Sequence, residues 1–253
     1  EVFKREVPDV RAAFHTMNFQ KFYKATISND QLRQSFLTWG GITDLIARIV
    51  DSLYTGMNYD EYVTMKYMVS REILNGGLHQ THADALNKAN AEDVIALTRA
   101  DVLNMGFLSG KYNRAGVKNA SNIEDLYVII DTTKLSVVDV SVLAAAFNMG
   151  KAEFLGHIIT VDSWEEQDKE RLDELFGDDA DYRYFTEDEL LLLGTVNLVV
   201  VDKDWWMVFD NFDTFTQNCN GEGLYWQYWY HVWRTFSVSP FANAIVSTSS
   251  NSE

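Results

Sequence analysis

The sequence predicts an α+β fold, because helical patterns fill its first half and strand-length apolar runs fill its second. The longest helical pattern spans about 59–74, with Met65, Val69 and Ile73 on one stripe and a Gly-Gly stop behind it. From residue 126 onward, short apolar runs surround one further helical pattern. This β-α-β order is typical of a small mixed sheet.

Composition restricts the classes of protein to which the chain can belong. It has 253 residues, of which 47% are hydrophobic, enough to build one large domain or two small ones. The net charge of −16 argues against a protein that mainly grips nucleic acid, since phosphate binding requires Lys and Arg. Cys219 is the only cysteine, which excludes an intrachain disulfide and a site of several thiolates. The chain starts with Glu1 rather than Met, and we interpret it as a fragment or a processed form.

The other predicted elements follow from periodicity and from turn residues. Further helices are predicted at about 8–24, 30–38, 42–54, 90–105 and 137–148. Strands are predicted at 126–130, 158–161, 196–201, 205–209 and 224–237, with a loop at 109–121 and a polar tail at 247–253. The turn Asp202-Lys203-Asp204 is expected to join two of these strands.

Residues 162–189 are strongly acidic. They contain thirteen Asp or Glu residues, against Lys169, Arg171 and Arg183. We interpret this segment as a solvated surface insertion.

The stretch 225–233 is unusually aromatic. In a strand, Tyr225, Trp229 and Trp233 would share one face, and Trp226 would lie on the other. A strand with aromatic residues on both faces must be covered on both, by its own domain or by a neighbour. These four residues are therefore predicted to be core anchors or subunit contacts.

Three patterns suggest chemistry, but each is incomplete. His79 and His82 have the spacing of metal ligands, but no third ligand completes the set. Residues 106–111 superficially resemble a phosphate-binding loop, but they are one residue short between the glycines. Paired aspartates beside tryptophan, at 202–213, can mark a sugar-cleaving site, although Asp is also common in turns. We predict no catalytic residue, no metal and no cofactor.

Three groups of segments carry a family resemblance. They are Val2–Pro8 with Phe36–Gly40; Glu124–Asp131 with Leu143–Met149; and Val201–Asn211 with Gly223–Trp226, Tyr230–Trp233 and Phe236–Ala244. In order and approximate spacing they resemble the major capsid proteins of phi-29-like short-tailed phages, or podoviruses. The resemblance spans nearly the whole chain and is weakest at about 78–122 and 162–195.

The resemblance implies the HK-97-like phage capsid fold. Its peripheral domain, with a long spine helix and a sheet, would occupy 1–121, with the spine helix at about 58–75. Its axial domain, a mixed sheet flanked by helices, would occupy 122–236 and include the acidic insertion at 162–189. Residues 237–253 would return to the peripheral domain and form a tail. Family members also have an amino-terminal arm and an extended loop, and the sequence leaves open whether this chain assembles without them.

The resemblance also implies a structural protein of the virion and no enzyme. Its partners would be copies of itself, in pentamers and hexamers, together with scaffold and portal proteins. Packaged double-stranded DNA would lie on the inner face, no membrane would be involved, and assembly would take place in the bacterial host cytoplasm. Two alternatives stay open: a carbohydrate-binding or glycoside-cleaving protein that uses the Trp and Asp segments, and a host-encoded compartment shell.

Overall fold

The computed structural model describes residues 10–37, 40–138, 140–147 and 155–249. The strands are β1 (Phe19–Ser28), β2 (His79–Ala83), β3 (Leu126–Asp131), β4 (Ile158–Val161), β5 (Val196–Asp202), β6 (Trp206–Asn220), β7 (Tyr225–Val238) and β8 (Ala244–Ser249). The helices are α1 (Asn29–Ser35), α2 (Gly41–Leu74), α3 (Ala91–Met105), α4 (Thr132–Val137), α5 (Val140–Ala146), α6 (Lys169–Phe176) and α7 (Glu187–Gly194). Short 3₁₀ turns lie at Ile123–Asp125, Leu155–His157 and Lys203–Trp205.

The described strands form two sheets. One is a three-stranded antiparallel sheet in the order β1-β7-β6. The other has five strands in the order β2-β8-β5-β3-β4, with parallel pairs at β2/β8 and β3/β4 and antiparallel pairs between them. The predicted mixed sheet is therefore present, and a second sheet lies beside it.

One helix of 34 residues, α2, replaces the two helices predicted at 42–54 and 59–74. At 1.5 Å per residue it is about 51 Å long. It begins after Gly40, which has a φ of 82°, and ends before Gly76, which has a φ of 68°. Gly56 does not break it. A Cβ atom at Gly56 would lie 3.3 Å from the ring of Tyr23, so the missing side chain lets β1 pack closely against the helix.

The helix predicted at 8–24 is wrong. Residues 10–18 have no regular secondary structure, residues 8 and 9 lie outside the described ranges, and the chain enters β1 at Phe19. Every fourth residue of β1 is buried: Phe19, Tyr23 and Ile27. A spacing of four fits a helix face as well as a strand face. The segment forms a strand because ten of its residues pair with β7 in antiparallel register.

The second half of the chain follows the predictions more closely. Strands β3, β4, β5 and β7 lie where they were predicted, and the apolar core of β3 is almost completely buried. The helix predicted at 137–148 corresponds to the shorter α5, since α4 ends at Val137, and residues 139 and 148 lie outside the described ranges. The predicted polar tail at 247–253 is wrong at its start, because β8 continues to Ser249.

The turn after β5 does not form a hairpin. Asp202 accepts a hydrogen bond from the amide of Asp204 and caps a short 3₁₀ turn, as expected for a turn aspartate. The two strands that it joins belong to different sheets. This connection therefore carries the chain from the five-stranded sheet into the three-stranded one.

The acidic segment 162–189 is more than a solvated insertion, which corrects the sequence-based interpretation. It contains α6, and it buries Trp164, Leu172 and Phe185 almost completely. Its charged side chains are mostly exposed, but Trp164 and Phe185 belong to the same apolar cluster as Val69 and Ile73 of α2. Burial of these side chains fixes the segment against α2.

Three apolar clusters account for the packing of the described residues. Two lie on opposite faces of the five-stranded sheet: one beneath α3, and one between the sheet, the C-terminal half of α2 and α7. The third lies between the three-stranded sheet, the middle of α2 and α6.

Within the described ranges, no helix combines the length and the apolar character required to cross a membrane.

The two sheets cut across the boundaries predicted at residues 121 and 236. Strand β1 precedes residue 121 but pairs with β7, and β2 precedes it but lies in the sheet with β3 and β5. The last strand, β8, lies between β2 and β5. The division into a peripheral and an axial domain stays a prediction.

Candidate assembly surfaces

Strand β7 is the centre of the three-stranded sheet and has two different faces. The inner face, defined by Tyr230, Val232 and Phe236, is buried against α2, where it meets Leu53 and Met57. Phe19 of β1 packs edge-on against Phe236 at a centroid distance of 5.3 Å. The sheet is therefore held to the long helix by an apolar layer.

The outer face of this sheet carries most of the aromatic residues that the sequence singled out. Tyr225, Trp229 and Trp233 lie on it, because they alternate with the buried residues of β7. Trp226 lies on the inner face, paired with the buried Ile27 of β1. The predicted division between the two faces of the strand is confirmed.

None of these four side chains is fully buried in the single chain. Tyr225, Trp226 and Trp229 are half-buried, and Trp233 is 39% exposed. They therefore do not form the centre of the core, whose aromatic members on this strand are Tyr230 and Phe236. Whether they contact another subunit stays a prediction.

Neighbouring strands add aromatic residues to the same outer face that the sequence analysis did not place there. Phe22 of β1 lies opposite His231 and is 62% exposed. Phe212 of β6 lies opposite Trp233, at a ring-centroid distance of 4.9 Å. Apolar and polar residues alternate along 23–28, which is a strand pattern and would place Phe22 on the face opposite Tyr23. The helical interpretation of 8–24 passed over this signal. We call Phe22, Phe212, Trp229, His231 and Trp233 the outer aromatic face.

Residues 15–18 cover one end of this face. Nδ1 of His15 lies 2.5 Å from Oγ of Ser237, and the His15 ring stacks near Phe209. The side chain of Asn18 bonds to both backbone groups of Phe236. Among the described residues, no segment lies over the remaining part of the face in this way.

Ion pairs anchor both the sheet and the acidic segment to α2. Arg234 of β7 pairs with Glu61 of α2 and, at 2.6 Å, with Asp210 of β6. Burial lowers the pKa of Arg234 from its usual value. On the acidic segment, Asp162 pairs with Lys66 and Glu189 pairs with Arg71.

A buried polar cluster lies where β1, α2 and α6 meet. The carboxylate of Asp60 is 1% exposed and accepts hydrogen bonds from Tyr23 and Arg171. Burial, followed by the hydrogen bond to Asp60, raises the pKa of the Tyr23 hydroxyl. The same carboxylate raises the pKa of Arg171. The Tyr23 hydroxyl therefore stays protonated and Arg171 stays charged, so the cluster is structural.

The three chemistry-like patterns are not assembled into a site. His79 and His82 lie on strand β2, where a spacing of three places them on opposite faces. Residues 106–111 follow a helix, whereas a phosphate-binding loop precedes one. Asp210 pairs with Arg234, and Asp213 accepts a hydrogen bond from Tyr230. Across the described ranges, no three His, Cys, Asp or Glu residues are placed to hold a metal ion.

Comparison with solved structures supports the predicted fold. The chain is similar to a chain in the capsid structure of Staphylococcus phage Andhra, with a TM-score of 0.68, 20% identity, and coverage of 92% of this chain and 70% of that one. It is also similar to a chain in the structure of the head fiber and inner core protein gp22 of bacteriophage P68, with a TM-score of 0.65, 19% identity, and coverage of 98% and 74%. The predicted HK-97-like fold is confirmed.

Comparison with sequences identifies the family. The chain is 33% identical to the major capsid protein of Bacillus phage B103, over 97% of its own length and 49% of that relative. It is likewise 33% identical to the major capsid protein of Bacillus phage PZA, over 98% and 50%. The chain thus spans about half the length of these curated relatives. The family model described as Phi29-like phage major capsid protein matches residues 1–248. The chain therefore belongs to the family of Phi29-like phage major capsid proteins.

Proposed function

We propose that this chain builds the wall of a phage head by packing against copies of itself in pentamers and hexamers. Family membership supports a structural role, and the outer aromatic face carries the proposal in this molecule. One side of the three-stranded sheet is buried by α2, whereas aromatic side chains on the other side stay in contact with solvent. Contiguous exposed apolar surface of this kind marks protein–protein contacts.

Shell assembly suits such a surface because each subunit makes several contacts at once. Modest contacts that act together hold a subunit firmly, and repeated self-association closes when its symmetry permits. Trp and Tyr are favoured at the centres of protein interfaces. The net charge of −16 adds repulsion between copies. We therefore expect assembly to improve as salt screens that charge.

In this proposal the two sheets define the two capsid domains. The peripheral domain comprises α2, its spine helix, with the three-stranded sheet β1-β7-β6. The axial domain comprises the five-stranded sheet with α3, α4 and α5, and it meets its copies around the fivefold and sixfold centres. This division by sheet is supported by the separate apolar clusters on which each sheet packs.

The remaining partners belong to the proposal as well. We expect scaffold and portal proteins to assist assembly in the host cytoplasm, and double-stranded DNA to lie against the inner face of the finished virion. Acidic surface charge would reduce sticking of packaged DNA, since counterion release on DNA requires Lys and Arg. The proposal assigns no chemical reaction to any residue. The phage capsid relatives lend no support to a glycoside-cleaving protein or to a host-encoded compartment.

Electron microscopy of particles tests the function directly. The full-length protein, expressed with a scaffolding protein of the same phage, is expected to form closed heads. A double variant with Phe212→Ala and Trp233→Ala is expected to reduce the yield of heads. The subunit should still fold, because both side chains are partly exposed. Leu191→Ala, at an exposed position of α7, is the matched control.

Two outcomes would count against the proposal in different ways. Absence of any closed particle from the unmodified protein would contradict the shell function. Normal heads from the Phe212 and Trp233 variant, at the yield of the Leu191 control, would instead show that the outer aromatic face is not an assembly surface.

A further inference from the structure

Strand β6 is a long free edge of the three-stranded sheet. It has 15 residues, pairs with β7 on one side, and has no strand on its other side among the described residues. None of its residues is fully buried. Backbone N–H and C=O groups along such an edge stay available to pair with a further strand. The proposed shell contact uses a face of this sheet and leaves the edge unassigned.

The first half of β6 carries features that hinder the addition of a strand. A bulge interrupts its register with β7 between Asp210 and Phe212. Asp210 and Asp213 add negative charge, and they are held by Arg234 and by Tyr230. Bulges and charged side chains are two devices by which proteins keep a sheet edge from pairing with another chain. This half of the edge is therefore protected.

The second half of β6, residues 214–220, lacks these features. It contains no Lys, Arg, Asp, Glu or Pro, and all seven residues pair with β7 in regular register. Residues 215–219 are exposed. A regular, exposed and uncharged edge is a site at which another chain can add a strand. Because the chain has a net charge of −16, an uncharged segment is also where two copies repel each other least.

We propose that residues 214–220 pair in antiparallel register with the same residues of a second copy, across a twofold axis at Gln217. Thr216 then lies opposite Asn218 of the second copy, and Phe215 lies opposite Cys219 of the second copy. No charged residue enters these seven pairs. The inference rests on the proposed function, because it names a contact between copies that build the shell.

The other strand edges of the described chain fit this site less well. Strands β2 and β4, at the edges of the five-stranded sheet, have only five and four residues. Strand β1, at the opposite edge of the three-stranded sheet, carries Lys21 and Lys24. Lysine on an edge strand hinders pairing. Among the described strands, β6 itself therefore offers the edge that matches residues 214–220 in length and in lack of charge.

The position of α2 leaves space for the second copy. The apolar cluster that holds the sheet to α2 takes its strand residues from β1 and β7 and none from β6. Strand β6 therefore lies to the side of the main contact with the helix. A twofold axis perpendicular to the sheet keeps like faces on the same side. The outer aromatic faces of the two copies would thus form one continuous surface.

The proposed contact also limits its own growth. Pairing of β6 with β6 of the second copy produces a six-stranded sheet and uses the free edge of both copies. A contact of this isologous kind closes after two copies. The edges that remain are the two β1 strands, each with its two lysines. The sheet therefore does not extend into a fibre.

Disulfide cross-linking of assembled particles tests the inference. Directly opposite residues of antiparallel strands have Cα atoms about 4.5–5.5 Å apart, a separation that a disulfide can span. In a Cys219→Ser background, the full-length protein with Gln217→Cys is oxidised, and the same background with Gln20→Cys on β1 is the matched control, since both glutamines are exposed edge residues. We expect about tenfold more disulfide-linked dimer from Gln217→Cys. Equal yields in closed particles would overturn the inference and leave the shell function intact.

Hydrogen exchange of the unmodified protein gives a second measurement. Exchange at residues 214–220 is expected to slow by about tenfold or more when subunits assemble, because the free amides gain partners. Unchanged exchange overturns the inference, even if the cysteine variants fail to fold. Slowed exchange without the cross-link in a folded Gln217→Cys variant means that another segment covers the edge, which also overturns it. If that variant does not fold, subunits with Thr216→Cys mixed with subunits with Asn218→Cys test the same register.

Failure of the shell function has a different signature. If the unmodified protein forms no particles, the shell function fails. The same two cysteine variants are then oxidised as concentrated soluble protein. Excess dimer from Gln217→Cys supports the strand pairing, and equal amounts overturn it.

Discussion

Arg171 of α6 donates two hydrogen bonds to the buried carboxylate of Asp60 on α2, through Nε at 2.5 Å and Nη2 at 2.7 Å. The same carboxylate accepts from Tyr23 of β1 at 2.6 Å. Three segments that lie far apart in sequence therefore share one acceptor. This arrangement makes the acidic segment an integral part of the packing around α2.

Loss of Arg171 should destabilise the fold strongly. Arg171→Met leaves Asp60 buried with Tyr23 as its remaining donor of those described, and removal of one partner of a buried ion pair typically costs about 3–5 kcal/mol. Urea denaturation followed by circular dichroism measures the free energy of unfolding. Arg183→Met is the control, since its pair with Glu189 is largely exposed and worth about 1 kcal/mol or less. Equal losses in the two variants would contradict a structural role for the Asp60 cluster.

Because Leu172 is buried, its truncation should also lower the stability of the fold. Leu172 of α6 is fully buried despite its acidic surroundings. Leu172→Ala should lower the free energy of unfolding by about 2–5 kcal/mol, as for other core leucines. Leu191→Ala, at an exposed leucine of α7, should change it by about 0.5 kcal/mol or less. A solvated insertion would instead tolerate both changes equally.

Acid should weaken the attachment of the acidic segment. Burial alone would raise the pKa of Glu189, but the amide of Thr186 and the guanidinium groups of Arg71 and Arg183 outweigh it and lower that pKa. A carboxylate whose pKa is lower in the folded state than in the unfolded state stabilises the fold. That stabilisation is complete at pH values above the unfolded-state pKa of about 4.3, and it is lost as the pH falls through the folded-state pKa.

Replacement of Glu189 should therefore flatten the pH dependence. Between pH 6 and pH 3, the free energy of unfolding should decrease less in Glu189→Gln than in the unmodified protein. Glu187→Gln, at an exposed position in the first turn of the same helix, removes an equal charge and serves as control. Parallel curves for all three proteins would exclude a linkage through Glu189.

The two faces of β7 should respond differently to truncation. Tyr230→Ala removes a buried ring that stacks on Phe215 and should cost about 3–5 kcal/mol of folding stability. Trp233→Ala removes a partly exposed ring, so it should cost much less stability and act mainly on assembly. Thermal unfolding of the isolated subunit, combined with particle yield, separates the two effects. A larger loss of stability from Trp233→Ala would place Trp233 in the core instead.

Local sequence pattern was sufficient to predict an element where the residues that form it and end it are neighbours in the chain. Gly40 and Gly76 mark the ends of α2, and the apolar run 126–130 is a buried strand, as predicted. Ser28 caps α1, with Gln31 completing a capping box. In these places the residues that define the element are neighbours in the chain.

Local sequence pattern failed to predict the structure where a segment's conformation depends on contacts with residues far away in the chain. The helix predicted at 8–24 followed the spacing of Val10, Phe14 and Met17, but pairing with β7, some two hundred residues later, makes 19–28 a strand. The two helices predicted at 42–54 and 59–74 are one helix, in which Gly56 allows close contact between α2 and Tyr23. The surroundings of Asp60 could not be predicted, because its donors lie in β1 and α6.

By itself, the sequence determined the mixed fold class, the long helical region, the aromatic strand and the resemblance to a capsid family. These depend on residue types and short spacings, which the chain displays directly. Tertiary structure alone decided which strands share a sheet, which face of β7 stays exposed and how the acidic segment is attached. Those features arise from contacts between segments far apart in the chain, whose free energy exists only after the chain has folded.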